Sequence, residues 1–65
     1  MTYDTMAVRH KRTHVWGIPT AFTWAELLNT IESLPEGGQI LLRNKDGTLI
    51  LEKRDGEIHE AHTPF

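Results

Sequence analysis

The run with the most chemistry in it is Arg9-His10-Lys11-Arg12-Thr13-His14, three permanent cations and two imidazoles in six positions. Guanidinium and ammonium groups in such a run suit phosphate contact, because each neutralised phosphate releases condensed counterions. An extended strand alternates its side chains, however, and so parts Arg9 and Lys11 from His10 and Arg12. The competing reading is a solvated edge strand whose charges discourage strand-to-strand aggregation. Arg9, Lys11 and Arg12 are therefore the candidate nucleic-acid contacts in the second of two functional readings.

The other reactive side chains are scattered. His10 and His14 stand four apart, a spacing that suits a metal only on a helix, and this segment lacks a helical pattern. His59 and His62, three apart, point to opposite faces of a strand. Zinc needs three or four converging ligands, and the chain has no Cys. No metal site and no cofactor is expected. Ser33, the one serine, lies in the last turn of a helix without a G-x-S-x-G elbow around it. Gly37-Gly38 follows a helix and precedes a strand, the reverse of the order that cradles phosphate. No catalytic residue is expected, and the chain reads as non-enzymatic.

The elements that must position these side chains fit one small domain of α+β class, residues 1–65, with a flexible N-terminal arm (1–5) and a C-terminal tail (62–65). Trp24, Leu27, Leu28, Ile31 and Leu34 follow a 3.6-residue repeat, which predicts a helix over about 24–34 with Trp24 anchoring the core. Thr23 and Glu26 form a Thr-x-x-Glu capping box, Phe22 is placed to staple onto Leu27, and Pro35 ends the helix. Three strands follow, at about 39–44, 48–54 and 57–62, joined by Asp46-Gly47 and Asp55-Gly56, a strong hairpin signal repeated. The expected sheet is thus a three-stranded antiparallel meander, preceded by an extended strand in which Met6 and Val8 alternate with Ala7 and Arg9.

With two-residue turns at both Asp-Gly pairs, Leu42 faces Leu51, Lys53 faces Ile58 and Arg54 faces Glu57. One sheet face then collects Ile40, Leu42, Leu49, Leu51 and Ile58, for the helix to cover. The other collects Leu41, Arg43, Ile50, Glu52, His59 and Ala61. Leu41 and Ile50 are left side by side on it, and Met6 and Val8 of the N-terminal strand are too few to cover them. With Trp16 and Ile18, near the helix start, Leu41 and Ile50 are the candidate protein interface, since Trp is enriched at interface hot spots.

The order of strand, Ile18-Pro19-Thr20-Ala21-Phe22, short helix, Leu34-Pro35-Glu36-Gly37-Gly38, then Gln39 through Lys53 around Asp46-Gly47, resembles the AbrB-like swapped-hairpin family of DNA-binding regulators and antitoxins. The resemblance covers residues from about 15 to 53. It implies an intertwined dimer contacting DNA through Arg9, Lys11 and Arg12. The chain departs from the family in its longer helix and in the third strand after Asp55-Gly56.

Size and charge rank the readings. A chain of 65 residues with no disulfide owns one modest core, and a partner chain is a common remedy, so a homodimer is an expected state. In a symmetric dimer through Ile50, Arg43 and Glu52 would flank the contact as charge partners. Net charge is −2, from a basic first third and an acidic remainder: residues 1–22 carry three bases against one acid, and residues 23–65 four bases against eight acids. Such a body does not resemble a general nucleic-acid binder. The first expectation is a small interaction module that binds another protein, of accessory, inhibitor, immunity or antitoxin type. The second is a dimeric DNA-binding regulator. The longest apolar runs are three residues, so no membrane span is expected, and without a basic start followed by an apolar stretch the expected location is cytoplasmic.

Overall fold

The helix boundaries are set by local chemistry. In a computed structural model that describes residues 3–61, helix α1 runs Trp24–Ser33, with Leu34 as its C-cap, one residue short of the expected end. Thr23 Oγ1 accepts from the Glu26 backbone N–H at 3.1 Å, and the Glu26 carboxylate accepts from the Thr23 N–H at 3.0 Å. Both halves of the capping box are formed, so two otherwise orphaned helix donors are satisfied. After Pro35 the chain turns at once, the Gly38 N–H donating to the Pro35 carbonyl at 2.9 Å. A Cβ on Gly38 would meet Leu34 Cγ at 2.8 Å, so this tight exit requires glycine.

The strands are β1 (Thr5–Arg9), β2 (Gln39–Asn44), β3 (Gly47–Arg54) and β4 (Glu57–Glu60). They form one antiparallel sheet in the order β1-β2-β3-β4. The expected three-stranded meander is therefore corrected to four strands. The N-terminal strand pairs along the open edge of β2, with Met6 opposite Leu42 and Val8 opposite Ile40. The gain is physical: an aliphatic β2 left as an edge would expose unpaired backbone groups. Of the expected flexible ends, residues 1–2 and 62–65 lie outside the described residues, while Tyr3 packs against the core and Thr5 begins β1.

The first hairpin turn differs from the expected one. Asn44 pairs with Gly47, and Leu42 with Leu49 rather than Leu51, so Lys45-Asp46 is the two-residue loop. Asn44 Oδ1 accepts from the backbone N–H groups of Asp46 and Gly47, each at 2.8 Å. That side chain satisfies the turn without a left-handed residue, and Gly47 becomes an ordinary strand position. The second turn is as expected. Asp55 (φ 55°) and Gly56 (φ 76°) are both left-handed, as a type I′ turn demands, and Arg54 pairs with Glu57. The Glu36 carboxylate accepts from the backbone N–H of Asp55 and, at 3.2 Å, from that of Gly56, tying the helix exit to this turn.

The slip in the first hairpin is two residues, equal to the side-chain period of a strand, so the partition of faces is unchanged. Leu27 and Leu34 of α1 pack on Ile40 and Leu42, with Met6, Val8, Phe22, Ile31, Leu49, Leu51 and Ile58 around them. Met6 and Val8 thus serve this inner face and not the other. Trp24 does not anchor the core: it is 60% exposed, and Leu28 is exposed too. At about 100° per residue, Leu27, Ile31 and Leu34 fall within an arc of about 60°, and Trp24 and Leu28 lie to one side of it. No helix among the described residues is long and apolar enough to cross a membrane.

Candidate interaction surface

The sheet face turned away from α1 is built in rows, because antiparallel register lines up residues across all the strands. The first row is polar: Arg9, Gln39, Glu52 and His59, one from each strand. The second is apolar: Ala7, Leu41 and Ile50, with the Ala61 N–H bonded to the Ile50 carbonyl at 2.8 Å. The third is Thr5, Arg43 and Thr48. Arg43 and Glu52, expected to flank the contact, stand on opposite sides of the apolar row.

The polar row is connected from end to end of β1 to β3. Gln39 is fully buried and has both ends of its amide engaged. Its Oε1 accepts from Arg9 Nε at 2.8 Å and from Arg9 Nη2 at 2.5 Å, and its Nε2 donates to Glu52 Oε1 at 2.7 Å. Arg9 Nη1 also donates to the His14 carbonyl at 3.3 Å. Arg12 Nε lies 3.9 Å from Glu52 Oε1. The strand ends at Arg9, and a turn closes beyond it, with the His14 N–H donating to the Lys11 carbonyl at 3.1 Å. The edge strand expected through His14 is thus a strand followed by a turn.

That turn delivers Trp16 onto the outer face. The Arg9 Cζ sits 4.2 Å from the centroid of the Trp16 ring, a cation–π contact. Glu52, Gln39 and Arg9 thereby hold the indole in series, each fixed by the one before. Beyond Trp16 the chain runs back along β1, with the Gly17 N–H donating to the Val8 carbonyl at 3.0 Å and Met6 bridged to Thr20. Between the indole and the sheet lies a cavity of about 220 Å³, lined by Trp16, Leu41, Arg43, Thr48 and Ile50.

Three of the four expected interface residues therefore converge: Trp16 walls the cavity, and Leu41 and Ile50 floor it. Ile18 does not line it and stands 86% exposed, as does Val15 at 89%. Sequence reasoning missed Thr48 as a lining residue and Gln39 as the buried hub. The available signal for Gln39 was an amide heading the aliphatic run Ile40-Leu41-Leu42. Of the three candidate phosphate contacts, Arg9 is committed to Gln39 and Trp16, while Lys11 and Arg12 are exposed on the turn.

Other reactive side chains make local bonds. The Ser33 hydroxyl donates to the Thr30 carbonyl at 3.3 Å, and His59 Nε2 lies 3.8 Å from Glu57 Oε2. Among the described residues no three His, Asp or Glu side chains converge as metal ligands would. His62 lies outside the described residues. Comparison with protein-family models, curated proteins and solved structures finds no match for this chain.

Proposed function

We propose that this chain is a protein-binding module whose contact surface is the outer sheet face, centred on the cavity between Trp16 and the Leu41–Ile50 floor. The observation that carries the reading is the way that cavity is built. A Trp, a residue favoured at interface hot spots, is held over an aliphatic floor by a hydrogen-bonded chain centred on the buried Gln39, which makes a preformed receptor for an inserted side chain. Its size supports a side chain over a cofactor: about 220 Å³ falls below the roughly 300 Å³ at which pockets for drug-sized ligands begin. The nucleic-acid reading draws less support here, because Arg9 already serves the fold and covers one face of the Trp16 ring.

Purification of the tagged protein from its native cells, beside Leu41→Gln, tests the reading. The expected result is a protein held by the wild type and lost with the variant, while circular dichroism shows the variant folded. Identical recovery by both forms, or recovery of nucleic acid alone, would overturn it.

A further inference from the structure

The charges around the cavity say more about the occupant than the apolar floor does. The outer face carries Arg9, Arg43 and Arg54 on its strands, and Lys11 and Arg12 on the turn beside it, against Glu52 and Glu57. That is five of the seven Lys and Arg of the chain and only two of its nine Asp and Glu. The strands of this face alone carry three bases against two acids, and the Arg12 side chain reaches Glu52 from the turn, so a chain of net charge −2 turns a net basic face outward. The basic charges are not equally free. Arg9 is bound to Gln39, and Arg12 lies near Glu52, whereas no ion pair among the described residues involves Arg43. Arg43 lines the cavity beside Thr48, so the floor meets a cation and a hydroxyl at one end.

Resting on the protein-binding reading, we infer that the occupant is an acidic peptide segment of the partner, seating one apolar side chain on Leu41 and Ile50 and setting a carboxylate against Arg43. An arginine fork beside an apolar floor favours a carboxylate, through charge-assisted and bidentate hydrogen bonds. The surrounding positive field suppresses basic partners and speeds the approach of acidic ones. A second copy of this chain fits worse, because a two-fold contact through this face would press a net basic surface against itself. Both sheet edges are also poor docking rails. The outer edge of β1 is partly covered by residues 17–20, and the four residues of β4 include Glu57 and Glu60.

A phage-displayed library of random linear peptides, selected on the full chain, is the probe. Enriched peptides are then titrated into ¹⁵N-labelled protein, wild type and Arg43→Glu. The inference expects Asp or Glu next to Leu, Ile, Met or Phe in the enriched peptides. It expects shifts at Leu41, Thr48, Ile50 and the Trp16 indole N–H, and binding about tenfold or more weaker in Arg43→Glu, equivalent to about 1.4 kcal/mol. Binding by Arg43→Lys should lie between the two, because an ammonium keeps the charge and loses the fork. Basic or uncharged peptides that bind at the cavity would overturn the acidic partner and leave the protein-binding reading standing. No peptide shifting the cavity, an oligonucleotide shifting it instead, or a wild-type dimer closed through Ile50 would overturn both.

Discussion

Replacing Gln39 by Leu tests the connected polar row on which the placement of Trp16 depends. The two side chains are close in size, so the cavity term is small and the change removes hydrogen bonds rather than volume. Two bonds from the Arg9 guanidinium and one to the Glu52 carboxylate are lost, at 2.8, 2.5 and 2.7 Å in the native fold. Bonds to charged groups contribute about 1.5–3 kcal/mol each when fully buried. Arg9 and Glu52 are only partly buried, so water replaces part of what they lose, and we expect a net loss of about 2 kcal/mol. For a domain of this size that lowers Tm by about 8–16 °C. Urea denaturation measures the free energy. In a Trp24→Phe background, fluorescence reports Trp16 alone and should shift to the red as the indole loses its support. Glu52→Gln is the control. It keeps an acceptor for Gln39 Nε2, makes that bond a neutral one and removes the long pairing with Arg12, so it should cost clearly less than Gln39→Leu, about 1 kcal/mol. Wild-type stability and an unshifted Trp16 spectrum in Gln39→Leu would refute the reasoning, because a side chain whose loss changes nothing holds nothing in place.

Four further outcomes are expected. Gly56→Val should destabilise by about 1–3 kcal/mol, because Gly56 is left-handed and a β-branched side chain resists that conformation. Gly47→Val should be close to neutral in the same thermal melts, because Gly47 is a strand residue with open space where its Cβ would sit; the reverse order would show that the first turn is misassigned. Thr23→Ala should cost about 1 kcal/mol in urea denaturation by opening the capping box, and a change within error would remove Thr23 as the N-cap. Trp24→Gln should cost less than about 1 kcal/mol despite the size of the side chain lost, since more than half of it faces solvent; a cooperative loss of the fold would restore Trp24 to the core.

What the sequence alone determined is what local chemistry and strand periodicity carry. The start of α1 follows from Thr23 and Glu26, and its end from Pro35, because caps and breakers act within one turn. The division of Ile40, Leu42, Leu49, Leu51 and Ile58 from Leu41 and Ile50 survived a misjudged turn, because a two-residue slip returns every strand residue to its own face. What only the tertiary structure decided is whatever depends on partners far along the chain. The choice between two turns at Asn44–Gly47 is the local exception, since there a side-chain acceptor two and three residues away competes with the glycine signal. The pairing of β1 with β2 depended on an open edge some thirty residues away. The burial of Leu27 with Trp24 left 60% exposed is decided by which side of α1 meets the sheet residues Ile40 and Leu42. The cavity came last of all. Trp16, Leu41 and Ile50 were each visible as leftover apolar surface, but the chain from Glu52 through Gln39 to Arg9 that sets the indole above them links three strands. No pattern in the sequence encodes such a link, because each of its hydrogen bonds exists only once the register of the sheet has brought those strands together.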